Sequence, residues 1–237
     1  MGGFRGQTAI VTGATGGVGQ AIADQLVAAG AKVLLVARSR NGLDALVRQH
    51  GWGQSAVESH PVDLAVEAEI ARFAAGVGDV HLLVHAAGTI TSASMEAGAL
   101  SDFDAQYQIN VRAPYQLTQT LLPHLIRNQG QVVFINSSVG IQARRGVAQY
   151  AATKHALRAV ADSMRDELNE RGVRVLSVFL GRTASRMQQA VHLQEGRPYK
   201  PEKLLQPADV ASIVLSALEL PRTAEVTDVH IRPMQKI

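Results

Sequence analysis

The chain has 237 residues, of which 46% are apolar and 18% charged, with a formal net charge of +3 and a sequence pI near 9.4. That balance describes a folded globular chain and excludes a disordered one. The arginines are scattered and aromatics make up only 4%, which argues against a basic, base-stacking nucleic-acid surface. There are no cysteines, so disulfides, thiol catalysis and thiolate metal sites are excluded, in keeping with a reducing compartment. Met1 to Gly6 is too short and polar to read as a signal peptide, and no apolar run approaches a membrane span, so the expectation is a cytoplasmic protein with no membrane partner.

Taken in order, the chain alternates strand and helix. Thr8 to Thr12 reads as a short buried strand, followed by a glycine-rich turn through Gly19 and a helix from Gln20 to Ala29, with Gly30 as its C-terminal cap. Ala31 to Ala37 is a continuous apolar strand. Asn41 caps a helix running to His50. Ala56 to Val62 is a third strand ending at Asp63, and Ala65 to Gly76 has helical spacing. Val80 to Ala86 is a fourth strand closed by Ala87 and Gly88, and Thr89 to Leu100 is a small, polar loop. Ser101 to Asn128 reads as one long helix or two, capped by Ser101 and broken near Pro114. Gln131 to Asn136 is a fifth strand, Ile141 to Ala148 a loop, Gln149 to Arg171 a long amphipathic helix, and Val173 to Phe179 a sixth strand. Gly181 to Lys203 has no clear period and is long for a connection, which predicts a functional loop or short-helix lid over the substrate. A helix from Pro207 to Leu218 and a strand from Val226 to Arg232 complete the chain. Strands apolar on both faces and joined by helices predict a doubly wound α/β fold: a parallel sheet of about seven strands, helices on both faces, in one domain over residues 1–237. Its site belongs at the carboxyl ends of the strands.

The first strand ends in Gly13-x-x-x-Gly17-x-Gly19 at the head of a helix. Such a turn lets backbone N–H groups approach a phosphate, with the positive end of the helix dipole facing the anion. The second strand ends at Arg38, where an NAD site would carry an acidic side chain for the ribose hydroxyls. A guanidinium instead matches a 2′-phosphate and favours NADP(H), with Arg40 as a second contact. Tyr150 and Lys154 lie four apart on a predicted helix and so share a face. A phenol with an ordinary pKa of about 10 is a poor base at neutral pH, and a nearby ammonium favours its ionised form. Ser137, at the end of the fifth strand, can hold a substrate oxygen against that phenol. Asn110 sits inside an otherwise helical run, where its side chain can disturb the ladder or hold a water.

Together these residues resemble the short-chain dehydrogenases/reductases, in the single-domain branch with the Rossmann fold. Thr12, Gly13, Gly17 and Gly19 match the T-G-x-x-x-G-x-G pattern; Ser137, Tyr150 and Lys154 match the Ser and Y-x-x-x-K set; Asn110 matches the family's helix asparagine. The resemblance, from about residue 6 to 219, implies cofactor contacts from Gly13, Thr15, Gly17, Val18 and Gly19, from Arg38 and Asp63, from Ala87 and Gly88, from Tyr150 and Lys154, and from Gly181, Thr183 and Ser185. It implies hydride transfer between nicotinamide and a small-molecule carbonyl or alcohol. In that scheme Tyr150 is acid or base, Lys154 lowers its pKa and binds the nicotinamide ribose, Ser137 orients the carbonyl and Asn110 supports a proton relay. It also implies a homodimer or homotetramer packed through the two long helices. The chain departs from the family at His85-Ala-Ala-Gly88 in place of N-N-A-G, at Leu180 in place of a proline, at Ser185 in place of a threonine, and in lacking a glycine-rich ending over Thr227 to Pro233.

Other signals carry less. His81 and His85, four apart on one strand, have no accompanying carboxylate, and no metal site is expected. Arg144 and Arg145 lie between Ser137 and Tyr150, in a loop that edges the substrate pocket, and read as a solvated pair or as an anchor for an acidic group. A non-catalytic NADP(H)-binding redox sensor is the alternative, disfavoured by the complete Ser, Tyr, Lys and Asn set. A nucleotide-sugar epimerase or dehydratase would need a larger second domain.

Overall fold

The computed structural model describes residues 3–235. Its seven strands are β1 (Thr8–Thr12), β2 (Lys32–Ala37), β3 (Val57–Pro61), β4 (Leu82–His85), β5 (Gln131–Ser137), β6 (Arg174–Leu180) and β7 (Asp228–Ile231). They form one sheet in the order β3-β2-β1-β4-β5-β6-β7, with every pair parallel. Chain order reverses between β1 and β4, which opens the crevice where doubly wound folds bind ligands.

The pleat sorts the strand residues between two cores. On one face Val11, Val33, Leu35, Val84 and Val178 pack beneath helices α1 (Gly17–Ala28), α2 (Arg40–His50) and α8 (Pro207–Leu218). On the other, Ile10, Leu34, Leu83, Phe134 and Val175 pack beneath α3 (Glu67–Ala75), α5 (Ala113–Arg127) and α6 (Ala148–Leu168). Leu117, Leu121 and Leu125 recur at one-turn spacing and are fully buried, so α5 is held by its apolar stripe. Each such side chain contributes about 1.5–3 kcal/mol by leaving water. The edge strands β3 and β7 are only half-buried, and there the expected two-sided apolar pattern lapses.

Three expected boundaries move. The run from Ser101 to Asn128 is not broken at Pro114. It divides at a π-helical turn, Gln108–Arg112, between α4 (Leu100–Tyr107) and α5. Pro114 instead occupies the first turn of α5, where a missing N–H costs little. Ser101 is not a cap, because α4 starts one residue earlier behind Ala99. Asn41 is not the cap of α2 either; Ser39 Oγ accepts the Gly42 N–H at 3.0 Å. The segment over 181–203 contains a short helix, α7 (Arg186–Gln194), and a 3₁₀ turn at Pro201–Lys203.

Candidate active site

The glycine turn is shaped by what cannot fit in it. Gly13 has φ +65°, and a Cβ there would lie 2.7 Å from Ala87 N. A Cβ on Gly19 would lie 2.4 Å from Gly13 O. The turn therefore presses β1, the first turn of α1 and the end of β4 into contact. Thr12 fastens the same junction: its buried hydroxyl donates to Val84 O and accepts the N–H groups of Ala86 and Ala87. Gly16 precedes α1 with no side-chain cap and no acidic residue follows in the first turn, so the leading N–H groups have no anionic competitor. Backbone closely folded on itself at an uncapped helix end fits a pyrophosphate, with Val18 in that first turn. Gly17 faces Ala184 O at Cβ distance 3.3 Å, which brings the chain after β6 against the turn.

Arg38, Arg40 and Thr15 are exposed at the ends of β2 and β1. Thr15 Cγ2 lies 3.5 Å from the Cβ position of Gly42, beside the start of α2. No acidic residue lies in the first turn of α2, and Arg38 and Arg40 have no ion-pair partner among the described residues. The place where a ribose 2′-substituent would rest is thus cationic. Asp63 closes a local turn, its Oδ1 accepting the Ala65 N–H at 2.9 Å. Of the positions after β6, Thr183 is buried with its hydroxyl donated to Gly181 O, and Ser185 caps α7 by accepting the Gln188 N–H at 3.1 Å.

The second half of the site is built of side chains. Tyr150 and Lys154 lie on α6, Ser137 ends β5, and Asn110 sits in the π-helical turn. Lys154 Nζ donates to Ile135 O at 3.0 Å and lies 5.8 Å from the centroid of the Tyr150 ring. Asn110 is buried. Its Oδ1 accepts the Thr89 N–H at 2.9 Å, while Nδ2 donates to Thr89 O at 2.9 Å and Thr153 Oγ1 at 3.0 Å. The Cβ position of Gly88 lies 3.3 Å from Asn110 Oδ1 and 3.8 Å from Lys154 Nζ. Ser137, Tyr150, Lys154, Asn110 and Gly88, spread over 67 sequence positions, thereby converge beside the glycine turn.

Burial controls how these groups ionise. Desolvation pushes the Tyr150 phenol up to about 12, with a hydrogen bond from Ser137 acting the other way. Packing alone raises the phenol, because the cost of burying a phenolate outweighs the neighbouring polar groups. At neutral pH the Tyr150 phenol is therefore protonated. Desolvation also pushes Lys154 down to about 8, where it remains mainly an ammonium at neutral pH. His85 is buried as well and is pushed down to about 3 by desolvation. Thr118 donates its hydroxyl proton to Pro114 O at 2.8 Å, so His85 Nε2, 2.8 Å from that hydroxyl, carries a proton and donates it. The ring stacks on Phe134 at 5.0 Å. His85 thus braces β4 against α5 as a neutral side chain, and no group of metal ligands occurs among the described residues.

Sequence reasoning missed several supports of this site. Thr153 bridges Asn110 to α6 and donates to Tyr150 O at 2.8 Å. Asn136 Nδ2 donates to Lys154 O at 3.1 Å, fixing the end of β5 to α6. Tyr199 reaches back over α7 so that its hydroxyl accepts the Ser185 N–H at 3.1 Å, and Arg182 grips Glu195 through two bonds of 2.9 and 2.7 Å. Only the adjacency of Thr153 to Lys154 signals such a role in sequence. Arg144 and Arg145 are exposed and without an ion-pair partner among the described residues, so the structure leaves both readings of the pair standing.

Comparison with known proteins agrees with the fold. A family model described as short chain dehydrogenase matches residues 7–196. A short-chain type dehydrogenase/reductase of Sinorhizobium fredii, y4eK, is 33% identical over 98% of this chain and 94% of its own length. A putative NAD(P) dependent gluconate 5-dehydrogenase from Beutenbergia cavernae, solved with bound NADP, superposes with a TM-score of 0.86 at 27% identity over 97% of each chain. An alcohol dehydrogenase from the archaeon Thermococcus sibiricus, complexed with 5-hydroxy-NADP, gives 0.84 at 25% identity over 98% of each chain.

Proposed function

The chain belongs to the short-chain dehydrogenase family, and from that premise we propose that it is an NADP(H)-dependent oxidoreductase acting on a small-molecule carbonyl/alcohol pair. The observation that carries the reading is the convergence of Ser137, Tyr150, Lys154 and Asn110 next to a glycine turn with no room for a Cβ. The cofactor, when bound, supplies or accepts the hydride. In this reading Gly13, Thr15, Gly17, Val18 and Gly19 hold its pyrophosphate. Arg38 and Arg40 select the 2′-phosphate, which also agrees with the NADP-bound proteins this chain resembles. Asp63 contacts the adenine, and Ala87, Gly88, Gly181, Thr183 and Ser185 line the nicotinamide end.

The chain's own residues then divide the remaining work. The Ser137 hydroxyl donates to the substrate oxygen and holds it against the phenol. Tyr150 Oη gives its proton to that oxygen in reduction, and its high pKa keeps it protonated until the alkoxide forms. Lys154, fixed by Ile135 O, places a positive charge beside the ring and stabilises the phenolate left behind. Asn110 holds the backbone of Thr89 and the α6 hydroxyl of Thr153 in register. A homodimer or homotetramer in the cytoplasm belongs to the same reading, packed through α4–α5, where Leu100, Tyr107 and Tyr115 are exposed.

Replacing Tyr150 by Phe tests the central claim. NADPH oxidation over a panel of aldehydes and ketones is expected to fall by about 10²–10⁴-fold. NADPH binding should weaken far less than turnover, by no more than about tenfold. Undiminished turnover in the variant would refute the role of Tyr150. A wild-type protein that binds NADPH tightly but reduces nothing in a broad panel is instead a sensor.

A further inference from the structure

Gln106 is an unexpected residue to find 1% exposed. A buried amide is costly unless its polar atoms are paired, and here both ends of the side chain are. Gln106 Oε1 accepts the Thr91 N–H at 3.1 Å; Nε2 donates to Asp102 O at 3.1 Å and to Gln149 Oε1 at 3.2 Å. Gln149 in turn donates from Nε2 to Ala99 O at 2.8 Å. Two glutamines therefore grip the loop over 89–99 at Thr91 and at Ala99. The loop is also bridged to the chain before α6 by the Ala93 N–H on Gly146 O at 3.0 Å.

The arrangement repeats. Gln106 and Asn110 lie four residues apart along α4 and its π-helical turn, and Gln149 and Thr153 lie four apart on α6. Gln106 bonds Gln149 and Asn110 bonds Thr153, each across 43 residues. On the loop, Asn110 holds Thr89 and Gln106 holds Thr91. The result is a two-rung ladder that joins the loop to α6, and its α6 ends directly precede Tyr150 and Lys154 in sequence.

We propose that Gln106 and Gln149 are positioning residues, the second rung of this ladder, which set the first turn of α6 against the loop over 89–99 and so fix where the Tyr150 hydroxyl meets the substrate oxygen. The inference rests on the oxidoreductase reading for its kinetic consequence. Asn110 and Thr153 hold α6 at one point; the second rung, a turn away, holds its first turn. The amide is required at position 106 because a single side chain must accept from a loop N–H and donate to a neighbouring helix at once, which an apolar residue of the same size cannot do.

The test uses the full chain with saturating NADPH. Gln106→Met keeps the bulk and removes the amide; Gln149→Met breaks the rung but spares the bonds of Gln106 to Thr91 and Asp102. Each is expected to lower kcat by about tenfold to a hundredfold, the effect of a small misplacement of the reacting groups. The NADPH dissociation constant should stay within about twofold of wild type, and the double variant should be no worse than the worse single one. Amide exchange should quicken both in 89–99 and in 146–151. A folded Gln106→Met protein with unchanged kcat, or faster exchange confined to 89–99, would overturn the proposal. If Gln106→Met fails to fold, Gln149→Met gives the same readouts. If wild type reduces no substrate, the oxidoreductase reading fails while the exchange measurements still decide the ladder.

Discussion

The two halves of the site are made of different material. At the proposed cofactor end, backbone does the shaping: Gly13 and Gly19 exclude a Cβ, α1 begins without a cap, and the side chains nearby, Thr15, Arg38 and Arg40, are exposed. At the proposed catalytic end the shaping belongs to side chains sunk in the protein: Gln106, Asn110, Thr153 and Lys154 are all buried, and each is hydrogen-bonded. The difference teaches how each half should fail. A backbone cradle tolerates no added atom but is indifferent to pH. A buried polar cluster tolerates modest changes of shape but depends on the protonation and pairing of every member.

The sharpest way to break the first half is a single methyl group. Gly19→Ala puts a carbon 2.4 Å from the Gly13 carbonyl, so either the turn or α1 must move. We expect NADPH binding to weaken about a thousandfold, close to 4 kcal/mol, by fluorescence titration. Binding within about threefold of wild type would mean the turn does not shape the cofactor site.

The second half should show itself through pH. His85 has a folded pKa of about 3 against an ordinary 6.5, so the folded state binds fewer protons than the unfolded one between those values. Stability from this group is complete above pH 6.5 and is lost as pH falls toward 3, by on the order of 5 kcal/mol. Lys154 works at the alkaline side: with a folded value of about 8 against 10.5, stability rises between those pH values by on the order of 2–3 kcal/mol. Urea unfolding of the cofactor-free chain from pH 4 to 10 measures both limbs. His85→Asn should flatten the acid limb alone, and Lys154→Met the alkaline limb alone. Limbs that survive both substitutions would place the titration elsewhere.

The smallest effect concerns choice between cofactors. Arg38→Asp is expected to weaken NADPH relative to NADH by roughly tenfold to a hundredfold, about 1.4–2.7 kcal/mol, as an exposed charge-assisted contact is replaced by repulsion. A wild type that prefers NADH would remove Arg38 from the cofactor half altogether.

The alternation of buried strands and amphipathic helices and the parallel sheet were legible in the residues, because period and composition are local properties. So were the separate motifs around Gly13, Ser137 and Tyr150, and the helix asparagine Asn110. The boundaries were less so: Pro114 marked the beginning of α5 rather than a break, since a proline reads alike at both places until the preceding turn is known. What only the tertiary structure decided is which polar groups lose water and find one another. Burial raised the Tyr150 phenol, made His85 a neutral brace, and joined Gln106 to Gln149 across 43 residues. Those outcomes depend on desolvation and on pairing between distant elements, and neither quantity exists until the chain has folded.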